Sequence, residues 1–415
     1  MDGWEDRPVT RKSGWAGLAW VLLLFLGTCA ARERRFLQGG PWYPAYPGEL
    51  KSTVDRLLAA APEALPPGRV VALVAPHAGF VHSGRCAAAA FSSLRDRRDV
   101  TRVILLGPSH LHSFSGARLS GFDRFTTPLG PIEVDTVAEA RLARQSGYAI
   151  DGRVHEGEHS LENHLPFLQR VLAGVPFRIV PILLGRVAPE DYPVLAGALL
   201  PLLDGHTVIA VSTDLTHHGA AFGFTPFPDR VAQRVEALDR GFLEAASRGE
   251  FSSLRRYVER TGITACGAVP VGLLLHLLPP GAVGTVRAHD LGGDESRVVG
   301  YGAIVFTVPA PPAGSAATGG LTPSQGRQLI SLARRAIAAR LSPTPTPSSV
   351  PSSLPAGHGS FVTLRRGADL RGCVGTLVAS GPLAEEVADN AVKAALADPR
   401  FPPVTAAELP VLTIE

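Results

Sequence analysis

Three stretches of this chain place polar, ligand-capable side chains directly after an apolar run. His77 follows "VALVAP", His110 follows "VILLGPS", and Asp214 follows "VIAVST" and leads into "LTHHG" with His217 and His218. Imidazole and carboxylate are the groups of metal ligation and of proton transfer. Cys266, in "ITACGAVPV", adds a thiol. As a small buried hydrophobe it is only packing. As a thiolate beside two histidines it completes an N₂S set suited to zinc, copper or ferrous iron, with room for water or substrate. A Cys86–Cys266 disulfide is the third reading, and it requires an exported domain.

A second cluster, "HEGEHSLENHLPFLQ", begins with the H-E-x-x-H pattern of a zinc metalloprotease helix, His155 to His159. That chemistry requires both histidines on one helical face. Gly157 lies at the centre of the segment, Asp151-Gly152 precede it, and no apolar face begins before Leu161. The spacing predicts a helix starting near Ser160 as N-cap, with Leu161, Leu165, Leu168 and Leu172 buried and Pro166 at a kink. His155 and His159 then precede the helix, and the segment parses as "EHSLENH", with His159, Glu162 and His164 as wall or outer partners of a metal carried elsewhere.

The elements that must position these groups alternate between buried-strand runs and helical stretches. Strands are expected at 70–78, 100–110, 178–185, 206–215, 284–291 and 300–308, with helical segments such as "VAQRVEALDRGFLEAASRG" between them. Valine-, isoleucine- and leucine-rich runs bounded by glycine and proline indicate an α/β domain with a covered sheet; strand order is not readable. In such sheets the ligand crevice lies beyond the carboxyl ends of the strands, where His77, His110 and Asp214 are expected to converge. The glycines around them, in "HAGFVHSG" and "LLGPSH", allow close backbone approach or are ordinary turn residues.

Composition is globular: 45% hydrophobic and 19% charged residues over 415 positions, enough for two domains. A net charge of +3 without basic stripes gives no sign of a nucleic-acid partner. Residues 1–35 hold Arg11 and Lys12 followed by "GWAGLAWVLLLFLGTCAA", which reads as a signal peptide or membrane anchor, so a membrane-anchored or exported chain is expected. Four cysteines, Cys29, Cys86, Cys266 and Cys373, are too few for a disulfide framework. Residues 309–322 are rich in proline, glycine and alanine and read as a linker. The second unit, 323–415, opens with an amphipathic helix, passes a proline–serine loop at 342–358, and continues as "SFVTLRRGADLRGCVGTL", with a hairpin signal at Arg366-Gly367-Ala368-Asp369. Cys373 is a reactive thiol or a packed strand residue. No C-x-x-x-C-x-x-C iron–sulfur pattern occurs.

Together, "PHAGFVHSG", "GPSH", "EHSLENHLPFLQ", "STDLTHHG" and "ACGAVPV" resemble the Memo family (mediator of cell motility), AmmeMemoRadiSam system protein B of prokaryotes, over residues 40–308. "LRGCVGT" and "DPRFPPVTAAELPVLTIE" resemble the AMMECR-type domain, AmmeMemoRadiSam system protein A, which normally continues beyond Glu415. The resemblance implies an α/β, LigB-like fold of the class III extradiol dioxygenase type, a sheet with flanking helices, followed by a smaller α+β domain. It implies His77, His110 and Cys266 as metal ligands, and Asp214 and His217 as the flanking acid and histidine, with His217 as base. Iron is the implied metal, copper or zinc the alternatives. It also implies a radical-SAM partner and either a redox activity or capture of a peptide or small molecule in the same vestibule. His82 stands where tyrosine is common in the family.

Overall fold

The computed structural model describes residues 31–64, 67–294, 296–309, 321, 323–341, 359–367, 369–376 and 382–415. Residues 1–30 of the leader segment, Cys29 among them, the proline–serine loop and nearly all of the linker stretch lie outside these residues.

Nine strands form the main sheet: β1 (Arg69–Ala75), β2 (Arg102–Pro108), β3 (Ala117–Leu119), β4 (Tyr148–Ile150), β5 (Arg178–Leu184), β6 (Thr207–Ser212), β7 (His217–His218), β8 (Val283–Asp294) and β9 (Arg297–Val308). Their order is β7-β9-β1-β6-β2-β5-β3-β4, with β8 paired to β9. The middle of the sheet, β1-β6-β2-β5, is parallel, and the long β8–β9 hairpin joins it antiparallel to β1.

The apolar runs read from the sequence are these central strands, and they are apolar throughout because both faces are covered. Along β2, Val103 and Leu105 enter one core with Phe91 and Phe167, while Ile104 and Leu106 enter the other with Phe242 and Leu273. Each such side chain, fully buried, contributes about 1.5–3 kcal/mol. The first core is closed by helices Pro47–Ala59, Phe80–Phe91 and Leu165–Val171, which pack on one another.

The segment after Ser160 departs from expectation in detail. A 3₁₀ turn, Glu162–His164, precedes the α-helix, and Pro166 sits in the first helical turn, where its missing N–H costs nothing, rather than at a kink. Ser160 caps no helix; its hydroxyl donates to the Pro108 carbonyl at 2.8 Å. Leu161, Leu165, Leu168 and Leu172 are all buried.

The C-terminal residues form a separate three-stranded antiparallel sheet in the order Asp369–Thr376, Ser360–Arg366, Thr413–Ile414, with helices Pro323–Leu341 and Leu383–Leu396 packed together over their own apolar core. Arg366 pairs with Asp369 across a tight turn in which Gly367 has φ +63°. The strand pattern "LPVLTIE" shortens to Thr413–Ile414, because Leu409–Val411 coils into a 3₁₀ turn.

The expectation of membrane anchoring or export is corrected here. Among the described residues no helix is long and apolar enough to cross a membrane. A span needs about 20 apolar residues. The longest described helix, Pro323–Leu341, carries Arg327, Arg334, Arg335 and Arg340 along its length.

Candidate metal centre

Adjacent parallel strands deliver the site. β1 ends at Ala75, β6 at Ser212 and β2 at Pro108, and His77, Asp214 and His110 each stand two residues further on. Because β6 lies between the other two, Asp214 emerges between the histidines. With His159, His217 and Cys266 these residues line one cleft of about 750 Å³, whose walls also include Trp42, His82, Phe222, Arg297 and Tyr301.

The ring nitrogens of His77, His110 and His159 include one ligand atom each within 4.8 Å of the others. Their orientation has identifiable causes. His77 Nδ1 lies 2.6 Å from Ser212 Oγ, and that hydroxyl lies 2.5 Å from the Ser160 carbonyl oxygen. The carbonyl can only accept, so the hydroxyl donates to it and accepts from His77 Nδ1–H. The lone pair of His77 is therefore on Nε2, 3.4 Å from Cys266 Sγ. His110 is fixed in the same sense by Glu158, whose carboxylate takes the His110 backbone N–H at 2.6 Å and Nδ1 at 2.9 Å. It also accepts the N–H groups of His159 and Ser160 at 2.9 and 3.0 Å. Burial alone would raise the Glu158 pKa, but these bonds and the His110 charge hold it down at about 2. Imidazoles with Nδ1–H tied to a carboxylate or hydroxyl and Nε2 free are the arrangement of metal-ligating histidines.

Burial lowers the pKa of His77 well below its ordinary value and that of His159 to about 4, so both are neutral and able to ligate at neutral pH. Burial and the Asp214 charge push the Cys266 thiol up, and its sulfur accepts the Asp214 backbone N–H at 3.3 Å. A cation would reverse that preference and favour thiolate. The donor set therefore fits a metal ion: His77, His110 and His159 form the close group, and Cys266 Sγ is placed against His77 Nε2 at 3.4 Å. Cys86, Cys266 and Cys373 are free thiols, so the Cys86–Cys266 disulfide does not form.

Asp214 and His217 share the cleft but are held by different partners. Asp214 Oδ1 accepts the His77 backbone N–H at 2.8 Å, and Oδ2 lies 3.9 Å from His77 Nε2. His217 is aimed by backbone: Nδ1 lies 2.9 Å from the Leu215 carbonyl and 3.3 Å from that of Thr264, which leaves Nε2 as the acceptor.

Glu162 and His164 lie behind the cleft and act through what they hold. His164 Nε2 reaches the carbonyls of Ala75 and Pro76, the residues leading into His77. Glu162 forms a buried ion pair with Arg34 and accepts the N–H groups of Leu37 and Gln38 and the Tyr43 hydroxyl. Arg34 also donates to the carbonyls of His155 and Glu158. The segment 34–43 is thereby tied across the site, with the Trp42 ring centred 4.5 Å from that of His159 and tilted by 40°. His155 is buried away from the cleft on its own short helix, Arg153–Glu156, which ends at Gly157, so H-E-x-x-H shares no helical face.

Sequence reasoning missed Ser212, Glu158, Trp42 and Arg297. Glu158 was the findable one, since a glutamate beside a candidate histidine is a natural imidazole partner; Trp42 and Arg297 reach the cleft from distant elements with no local signal.

Comparison with known proteins agrees with this architecture. Residues 34–305 match the family described as Memo-like protein, and residues 330–415 match AMMECR1. A MEMO1 family protein of Methanopyrus kandleri is 32% identical over 294 residues, 66% of this chain and 99% of that protein. The protein memo-1 homolog of Caenorhabditis elegans is 28% identical over 258 residues, 60% of this chain and 73% of that protein. Among solved structures, an uncharacterized protein from Pyrococcus horikoshii is 36% identical over 23% of this chain and 50% of its own, with a TM-score of 0.21. Strand-end histidines, cleft and matched residues coincide, and the chain belongs to the Memo family, with an AMMECR1 segment following the Memo-like domain.

Proposed function

We propose that the cleft is a metal-dependent redox site related to those of class III extradiol dioxygenases, with iron or copper held by His77, His110 and Cys266. The observation that carries this reading is the convergence of ring nitrogens of His77, His110 and His159, with Nδ1 of His77 and of His110 tied to Ser212 and Glu158. His159 is the competing third ligand. The metal would supply Lewis acidity and electron transfer to a bound substrate. The protein's own groups do the rest. His217, held by the Leu215 and Thr264 carbonyls, takes a substrate proton at Nε2. Asp214 holds the His77 backbone in register, and Trp42 covers the histidines. The proposed partner is a radical-SAM protein of the same system, a reading that rests on the family resemblance alone.

Anaerobic purification followed by elemental mass spectrometry tests the site. About one iron or copper per chain is expected, with losses in His110→Ala and in either Cys266→Ser or His159→Ala, which identifies the third ligand. A protein that takes up no metal, or a His110→Ala variant that retains all of it, sinks the reading.

A second reading, binding or metal handling without turnover, is favoured by the partners of His217. Backbone carbonyls fix its tautomer but do not add the basicity that a carboxylate would. Steady oxygen uptake with a catechol, abolished in His217→Ala, decides against this alternative.

A further inference from the structure

Arg297 opens β9 at the wall of the cleft. Its guanidinium lies 5.0 Å from the centre of the Phe222 ring, and Phe222 in turn meets the His217 ring edge-on at 5.1 Å, so one aromatic ring separates the charge from His217. Among the described residues Arg297 is the one arginine or lysine lining the cleft, and its guanidinium has no hydrogen-bond or ion-pair partner there. Two described carboxylates nearby, Asp294 and Asp214, hold backbone or hydroxyl groups through Oδ1, and Asp294 also feels the Arg297 charge without pairing with it. Asp294 Oδ1 closes the turn by accepting the Ser296 N–H at 2.8 Å, its hydroxyl at 2.6 Å and the Arg297 N–H at 3.1 Å. Asp214 holds the His77 backbone.

The backbone at Arg297 is also fixed. Gly293 has φ +100°, and a Cβ there would come within 1.8 Å of the Arg297 carbonyl oxygen, so the turn requires glycine. An exposed guanidinium at the cleft wall, with no hydrogen-bond or ion-pair partner among the described residues, is suited to a ligand anion.

We infer that the cleft takes a small aromatic monocarboxylate, with its acid group paired to Arg297 and its far end at the histidine cluster. A guanidinium offers two parallel N–H bonds and one positive charge, which matches a carboxylate in geometry and charge. A phosphate dianion would be left half neutralised by Arg297, because the wall holds no second arginine or lysine among the described residues. Trp42, Phe222 and Tyr301 give the intervening wall its aromatic character. The placement of the far end rests on the metal-site reading above; the contact to Arg297 does not.

Calorimetric titration of the full chain with benzoate, benzamide and phenyl phosphate, with metal content measured on the same samples, tests this. Benzoate is expected to bind at least tenfold more tightly than benzamide. Arg297→Gln should cut benzoate affinity at least tenfold with metal content unchanged, and Arg297→Lys should fall between. Equal binding of benzoate and benzamide, full benzoate affinity in Arg297→Gln, or tighter binding of phenyl phosphate overturns the inference. Arg297-dependent benzoate binding by a chain that takes up no metal supports the inference while refuting the metal reading. Metal uptake with binding independent of Arg297 does the reverse.

Discussion

The Ser212 hydroxyl accepts from His77 Nδ1 at 2.6 Å because its own proton is committed to the Ser160 carbonyl at 2.5 Å. One hydroxyl thus sets the tautomer of a candidate ligand. Ser212→Ala is expected to leave the fold intact and weaken metal affinity by about 10–100-fold, the usual effect of removing a group that orients a ligating histidine. Competition titration against a chelator measures it, and unchanged affinity refutes the role.

Glu158→Gln should act similarly on His110 and also cost stability. The carboxylate accepts four hydrogen bonds, and an amide places an NH₂ against backbone N–H groups, at about 1–3 kcal/mol for each donor left unpaired. A lower urea midpoint together with reduced metal content is expected.

Glu162→Gln tests the strap. Arg34 and Glu162 are both buried, so removing one charge leaves the other uncompensated, at about 3–5 kcal/mol. Residues 31–43 should become sensitive to limited proteolysis, and the fluorescence of Trp42 should change as it leaves His159. Unaltered cleavage in this segment would count against the strap.

Gly300 sits where a Cβ would come within 1.7 Å of Asp239 Oδ2. Asp239 is fully buried, bonded to His289 Nε2 at 3.0 Å and to the Thr216 N–H and hydroxyl at 2.9 and 2.5 Å. Gly300→Ala must displace that network, so a loss of about 1–3 kcal/mol, the usual cost of overpacking, is expected by denaturant unfolding. Thr216 adjoins His217, so a ligand that reports on His217 should bind more weakly as well.

Acid should destabilise the chain through its buried histidines. Burial lowers the pKa of His155 and of His164 from 6.5 to about 4, so below pH 6.5 the unfolded chain binds protons that the folded one refuses. Stability is complete above that value and falls as pH drops toward 4, on the order of a few kcal/mol for each histidine. Urea midpoints between pH 7 and 4.5 read this directly; a constant midpoint contradicts it.

The strands were legible because their apolar runs are uninterrupted, and their ends were legible because polar residues begin abruptly at His77, His110 and Asp214. The order β1-β6-β2 was not, since periodicity carries no information on which strands pair. The role of His217 was legible only as a residue type: its partners are carbonyls of Leu215 and Thr264, and backbone leaves no mark on side-chain pattern. His159 was expected as wall, and the structure places its ring against those of His77 and His110, because the turn before Glu162 faces the cleft.

His77 and Cys266, whose side chains meet at 3.4 Å, are 189 residues apart in the chain. No early fragment of the chain contains both, and loop closure over such a distance follows assembly of the sheet between them. An ion bound at that junction would act as a clasp on the completed domain, adding stability that grows with the logarithm of free ion concentration above its Kd and adding none to a form that lacks the junction.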